Sequence, residues 1–331
     1  MSGGKNGIGD RLGYLITLGF TRFAGKAPRK AAFMAGSVVG WLLWTFLTIQ
    51  KKRLKITIEN LRNLYPDKAD EELSHIVRRV CRHFGRFLSD CARLPLLDKE
   101  MVGKLVKFEG FENLEKAFGK GKGVIFATAH FGHFEVANGA FAALGYPVWS
   151  VIREVDNKAV DILFDETRCA TGLGVIKKER SAGEILRHLR AGHIVTINID
   201  QNAAFNNIFA PFFGKLAATF TTPAVIGMRT GAPILPVLSF RDDANDRYTV
   251  RVYPEVTIES VGDRGADIRL VTTKLNRILE DAIREAPEQW LWIHRRWKTE
   301  PGEEDMRSVR KETDIIERAA KSGKGVGAAR H

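Results

Sequence analysis

Cysteine is scarce in this chain. Cys81, Cys91 and Cys169 are its three cysteines; they offer no even pairing and no Cys-x-x-Cys, which argues against a disulfide framework and for a reducing compartment. No Gly-x4-Gly-Lys-Ser/Thr loop and no Gly-x-Gly-x-x-Gly is present, so neither nucleotide cradle is indicated. There is no Gly-x-Ser-x-Gly elbow, and no cysteine lies near His130 in sequence to serve as a thiol nucleophile. His130-x-x-His133-x-Glu135 fits no zinc spacing, and no metal or redox cofactor is implied. Acidic residues are outnumbered, 39 against 51 Lys and Arg, and the net charge of +12 points to an anionic partner: nucleic acid, an anionic membrane or a phosphorylated substrate. No internal repeat is found.

The 331 residues are enough for a substantial core, and 44% hydrophobic with 27% charged residues is the balance of a folded protein. Residues 1–7 read as a loose start and 8–24 as a short amphipathic helix. Residues 31–50 contain no ionisable side chain and include Trp41, Leu42, Leu43, Trp44, Phe46 and Leu47, a length that can just span a bilayer. The run starts too late for a secretory signal and lacks a cleavage site. Both flanks are basic: Arg29 and Lys30 before it, Lys51, Lys52, Arg53 and Lys55 after it. A span would carry one basic flank outward, against the positive-inside tendency. The sequence therefore favours a pair of helices dipping into the inner leaflet, with a full span and an ordinary buried helix as alternatives. Gly36 and Gly40 form a GxxxG.

Helices are expected over 51–64 and 70–94. The second carries a stripe (Leu73, Ile76, Val77, Val80, Phe84, Phe87, Leu88, Cys91) that should pack on the sheet as core. From residue 105 strands alternate with helices. Strands are expected at 105–109, 124–129, 148–152, 193–199, 234–240 and 248–252; helices at 111–118, 134–144, 158–171, 182–190, 222–230 and 268–286. This pattern is an α/β fold with a mostly parallel central sheet flanked by helices, preceded by an N-terminal helical membrane-associated segment. Three segments are expected: 1–50 membrane-associating helices, 51–298 the α/β domain, and 299–331 a polar tail, part helical and then flexible.

The run from Val124 to Glu135 organises the rest. A buried strand ends in a tight turn and a helix opens, placing His130 at the carboxyl end of a strand, where open α/β sheets put their ligand crevice. In one uniform helix His130 and Glu135 would stand about 140° apart and about 7.5 Å along the axis, and would not meet. With His130 ahead of the helix and Gly132 allowing a bend, Glu135 is expected to hold one imidazole nitrogen and leave the other as a general base.

Asp200 and Gln201 end the 193–199 strand, and Asp200 faces the same crevice if the two strands are neighbours. Arg153 follows the third strand, where it can bind phosphate, stabilise an oxyanion or pair with Glu154 or Asp156. In Pro211-Phe212-Phe213-Gly214 one of two adjacent aromatics can line an acyl pocket, with a staple into the core as the favoured alternative. The Thr219–Thr222 helix start is a weak anion site. Residues 289–298 mix three tryptophans with basic side chains, suited to a membrane interface or to covering the sheet edge. Stacking on nucleic acid is a third option there, but no RNA module is recognisable.

These residues carry a family likeness. His130 to Glu135 is an H-x4-E match and resembles the H-x4-D/E motif of glycerolipid acyltransferases. The chain resembles, more narrowly, the late (lauroyl and myristoyl) acyltransferases of lipid A biosynthesis over roughly residues 8–298. Glu59-Asn60-Leu61 before Tyr65-Pro66, Arg153 with Asp156-Asn157, Arg168 with Gly172, Asp200-Gln201, Pro211 to Gly214, Arg229 to Pro233 and Gln289 to Arg296 follow in the family's order. His133-Phe134 stand where the family often has Asn-Trp. The resemblance implies an O-acyltransferase on the cytoplasmic face of a bacterial inner membrane. It implies a fatty acyl thioester donor, on acyl carrier protein or coenzyme A, and a glycolipid hydroxyl acceptor, with anionic membrane but no nucleic acid as partner. His130 and Glu135 would be catalytic. Arg153, Arg168, Asp200, Gln201, Phe212, Phe213, Gly214 and Arg229 would bind substrate. A sister branch acylates mannosylated phosphatidylinositol, and a catalytically silent lipid-binding protein on the same fold is the alternative of another class.

Overall fold

The computed structural model describes residues 7–178, 181–205 and 207–321; all but Gly7 of the loose start expected at 1–7, and the part of the expected 299–331 tail beyond 321, lie outside the described residues. In chain order come α1 (Ile8–Lys26), α2 (Arg29–Ile49), α3 (Lys51–Arg62), α4 (Asp70–Arg93), α5 (Lys99–Leu105), β1 (Val106–Glu109), α6 (Phe111–Phe118), β2 (Val124–Thr128), α7 (Phe134–Ala143), β3 (Val148–Ile152) and α8 (Lys158–Cys169). Then follow β4 (Gly174–Lys177), α9 (Ser181–Arg190), β5 (Ile194–Asn198), β6 (Asn207–Phe212), β7 (Lys215–Phe220), α10 (Thr222–Thr230), β8 (Ile234–Asp242), β9 (Arg247–Val252), α11 (Arg264–Glu285) and α12 (Glu303–Lys321).

Seven strands form one sheet in the order β1-β9-β8-β2-β5-β3-β4. Strands β8, β2, β5, β3 and β4 run parallel; β9 turns back antiparallel on β8, and β1 pairs parallel to β9. β2 is buried along its whole length, as a continuous apolar run must be when helices cover both faces of a parallel sheet. One layer packs Phe126, Phe141, Leu114 and Leu235 together; the other packs Ile125, Val195, Ile185 and Leu275. β4 and the hairpin β6–β7 escape the periodicity reading. β4 is four residues long, too short to show an alternation. The hairpin turns on Phe213 and Gly214, both at positive φ (48° and 71°), the two-residue geometry that matches strand twist.

Helix α4 lies between α2 and the carboxyl edge of the sheet. Its inner stripe packs with Ala129, Phe131, Leu238 and Trp290. Against α2 the backbones approach so closely that a Cβ on Gly36, Gly40 or Gly85 would collide with backbone of the facing helix. Arg29 does not join a basic flank: its guanidinium donates to Asp246 (2.7 Å) and to the Tyr248 hydroxyl (2.6 Å) on the β8–β9 hairpin.

Candidate functional site

Parallel pairing sets Thr128 opposite Asn198, so the residues two steps beyond each strand end, His130 and Asp200, also face one another. His130 donates its backbone N–H to Asp200 Oδ2 (3.0 Å), and its Nδ1 lies 2.9 Å from Asp200 Oδ1. A carboxylate only accepts, so Nδ1 carries the hydrogen and Nε2 keeps its lone pair. The amides of Asn198 (3.2 Å) and Gln201 (3.4 Å) border Nε2. Trp290 Nε1 donates to Asp200 Oδ2 at 2.9 Å. Three donors thus fix a carboxylate that is itself buried, while the His130 side chain stays 24% exposed.

Electrostatics follow from this arrangement. Burial works against charge on both groups, but attraction and hydrogen bonding across the pair outweigh it. His130 is pushed above the usual imidazole range and Asp200 held below the usual carboxylate range. His294, desolvated nearby and accepting the Asn202 N–H, is pulled down to about 4 and stays neutral.

Glu135 does not hold His130. It sits in the first turn of α7, and its Oε1 accepts from Arg168 Nε (2.9 Å) and Nη2 (2.7 Å) on α8. The bend at Gly132 (φ 56°), where a Cβ would strike the Ser239 carbonyl, turns Glu135 toward α8 instead of toward the imidazole. Arg168 is raised further: burial opposes its charge, but Glu135 more than compensates. Glu135 Oε2 is buried with no hydrogen-bond partner among the described residues. His133, the other histidine of the motif, is fully buried with its Nδ1 against Asp90 Oδ2, and it does not line the cavity.

Beside His130 and Glu135 opens a cavity of about 520 Å³, within the range of small-ligand pockets. It follows α4 from Val80 to Ala92, about 18 Å of helix at 1.5 Å per residue. Ile16 and Phe20 of α1 and Phe164 of α8 complete an apolar wall, with Arg168 at one side. Phe84 and Leu88, expected as plain core on the α4 stripe, line it.

Other expected residues lie elsewhere. Phe212 and Phe213 are both buried and pack on Trp290, Trp292 and Trp297; neither lines the cavity, because the Phe213-Gly214 turn folds the hairpin inward and Phe213 N–H donates to Glu280. Arg229 is exposed in the last turn of α10. That helix runs back to the amino edge of the sheet, where Gly231 meets Lys122, so Arg229 is on the far side from His130. Arg153 is exposed at the carboxyl end of β3, without a hydrogen bond or ion pair among the described residues. It stands two strands, about 10 Å, from β2. The tryptophan-rich segment covers the sheet: Trp290 and Trp292 are buried, Gly132 N–H donates to Gln289 O (2.8 Å) and Leu291 N–H to His130 O (3.2 Å). Asn198 and Trp290, as contacts of the His130–Asp200 pair, were not anticipated; the shared strand offset was the available signal.

An α/β sheet with a carboxylate-held imidazole at its carboxyl edge, beside an apolar slot, is compatible with an acyl-transferring enzyme. The family profile described as bacterial lipid A biosynthesis acyltransferase matches residues 10–299, and the chain belongs to that family; it is an acyltransferase. It is 28% identical over 278 residues to the lipid A biosynthesis palmitoleoyltransferase of Escherichia coli (strain K12), covering 83% of this chain and 88% of that one. It is 23% identical, over 278 residues and the same shares, to the lipid A biosynthesis lauroyltransferase of that organism. It is also similar, 23% over 227 residues, to the phosphatidylinositol mannoside acyltransferase of Mycolicibacterium smegmatis (strain ATCC 700084 / mc(2)155), covering 67% of this chain and 72% of that one.

Proposed function

We propose that the protein transfers a fatty acyl chain from a thioester, carried on acyl carrier protein or coenzyme A, to a hydroxyl of a lipid A precursor. It would do so at the cytoplasmic face of the inner membrane. The observation that carries this reading is the His130–Asp200 pair beside the cavity that His130 lines: Nδ1 is bound at 2.9 Å and Nε2 keeps its lone pair.

The fatty chain lies along α4 in the slot, with its thioester carbonyl near His130. The acceptor hydroxyl displaces the Asn198 and Gln201 amides from Nε2 and gives its proton to that nitrogen as its oxygen attacks the carbonyl carbon. The tetrahedral adduct then expels the thiolate, which takes the proton back from the imidazolium and leaves as thiol. A positioned base typically contributes 10²- to 10⁴-fold to such a step. Asp200 holds the tautomer and offsets the imidazolium charge. The first N–H groups of α7, Phe134 and Glu135, lack intrahelical acceptors by position and sit at the positive end of the helix, suited to the oxyanion. Gly132 N–H is engaged by Gln289 O and is not available for that role. Arg153 and Gln201 meet polar parts of donor or acceptor at the rim, and Arg168 with Glu135 forms the polar side of the slot.

The lipid A precursor is favoured over a mannosylated inositol lipid because of the family profile and the printed names of the Escherichia coli relatives. Purified protein with labelled acyl thioester and acceptor in detergent should form the acyl ester, and His130→Ala should not while keeping its fold. Full turnover by that variant overturns the assignment. Mass spectrometry of lipids from cells lacking the protein identifies the acceptor.

A further inference from the structure

We infer that α2 lies in the plane of a single leaflet and does not cross the membrane, and that the acyl cavity opens sideways into that leaflet beneath α1; this rests on the membrane placement proposed above. By length and composition α2 qualifies as a span: 21 residues, about 31 Å at 1.5 Å per residue, against a hydrocarbon core of about 30 Å. Its surroundings forbid the crossing. Its first residue, Arg29, is tied to Asp246 and Tyr248 of the β8–β9 hairpin. Past its last residue the chain enters α3, whose Asn60 amide donates to the carbonyls of Trp292 (2.9 Å) and His294 (2.8 Å). Both ends are thus fastened to one α/β domain, which occupies one aqueous compartment.

The middle of α2 is equally constrained. Gly36 and Gly40 lie against the backbone of Arg86 and Arg82 of α4, so centring α2 in a bilayer would draw the exposed Arg82 and the Arg86–Asp243 ion pair toward hydrocarbon, where charges are costly. What α2 offers to lipid is its other face. Met34 (70%), Trp41 (56%) and Ile49 (73%) are exposed there, in an orientation opposite to the buried stripe of Ala32, Gly36, Gly40 and Leu47. Helix α1 continues the apolar surface with Ile8 and Leu15. Lys51, Lys52, Arg53 and Lys55 at the start of α3 are exposed and match anionic headgroups. Ile16 belongs both to this surface, 64% exposed, and to the cavity wall, so an acyl chain can pass between leaflet and slot without entering water.

The test uses the full chain. Lys30→Cys and Lys52→Cys are each built in a Cys169→Ser background and probed in sealed inner-membrane vesicles of both orientations with a membrane-impermeant maleimide. Both sites should label from the side that carries the catalytic domain; labelling from opposite sides overturns the in-plane placement. A second arm floats purified protein with vesicles of phosphatidylcholine and phosphatidylglycerol. The Trp41→Glu, Phe46→Glu double variant should bind at least tenfold more weakly while turning over detergent-dispersed substrates at the wild-type rate. Unweakened binding, or a wild-type dimer that this variant dissociates, overturns the docking face. Wild type that never binds vesicles yet is active would instead sink the membrane placement itself.

Discussion

Asp200→Asn is the sharpest probe of the site. Asp200 Oδ2 receives two N–H donors, from the His130 backbone (3.0 Å) and Trp290 Nε1 (2.9 Å). An asparagine must put its single carbonyl oxygen there, because turning the amide around would set three N–H groups against one another. Its NH₂ then faces His130 Nδ1, which has to become an acceptor. The ring proton moves to Nε2, and the nitrogen beside the acceptor hydroxyl loses its lone pair. The fold keeps both buried bonds, so above the raised pKa of His130, where the ring is neutral, the melting temperature should hardly move. The chemical step should slow by about 10³- to 10⁴-fold, as for wrong-tautomer asparagine variants of catalytic triads, equivalent to about 4–5 kcal/mol of transition-state stabilisation. Single-turnover acyl transfer over a pH series is the assay. In wild type the base must be neutral, so the rate falls as pH drops through the raised pKa of His130; without the carboxylate that acid limb should shift to lower pH. A variant within tenfold of wild type, or an acid limb that does not shift, refutes the assignment of His130 as a base oriented by Asp200.

Stability should show the opposite pH sense. The His130 pKa is raised in the folded state, so its pairing stabilises fully below about 6.5 and the benefit is lost as pH rises through the raised value; thermal melts across that window check it. Glu135→Ala leaves the Arg168 cation buried without its partner and should cost about 3–5 kcal/mol in urea unfolding, with much of that recovered in the Glu135→Ala, Arg168→Met double variant. Phe212→Ala should cost about 3–5 kcal/mol as a core cavity and leave acyl-chain preference unchanged; an altered chain profile would return Phe212 to the pocket. Arg229→Ala should change neither stability beyond about 0.5 kcal/mol nor the transfer rate, since α10 carries it to the other edge of the sheet.

The central sheet was legible because its strands are apolar runs closed by glycine and polar punctuation; β2 and β5 needed nothing further. Helices α6 and α10 match their expected limits because glycine follows each last turn. The β6–β7 hairpin was hidden because its turn places a phenylalanine, not asparagine or glycine, at the first positive-φ position. The buried cost of that conformation is met by the packing of Phe213 on Trp292 and its N–H bond to Glu280. Periodicity also misled on α4. An apolar stripe reads alike whether it faces a core or an empty slot, and here it faces both.

The H-x4-E spacing shows how a motif can suggest a contact that the fold does not make. His130 and Glu135 do share a cavity wall, and Glu135 adds to the field that raises the imidazole. Yet sequence neighbours separated by a left-handed glycine are free to diverge, whereas residues at equal offsets beyond paired parallel strands are not. Register 128 to 198 fixes 130 opposite 200 through the ladder itself, independent of any turn. At the rim of a parallel sheet the dependable partner for a strand-end histidine is therefore the polar residue at the same offset on the adjacent strand. The five-residue neighbour is left to do something else, here to bind an arginine that closes the side of the slot.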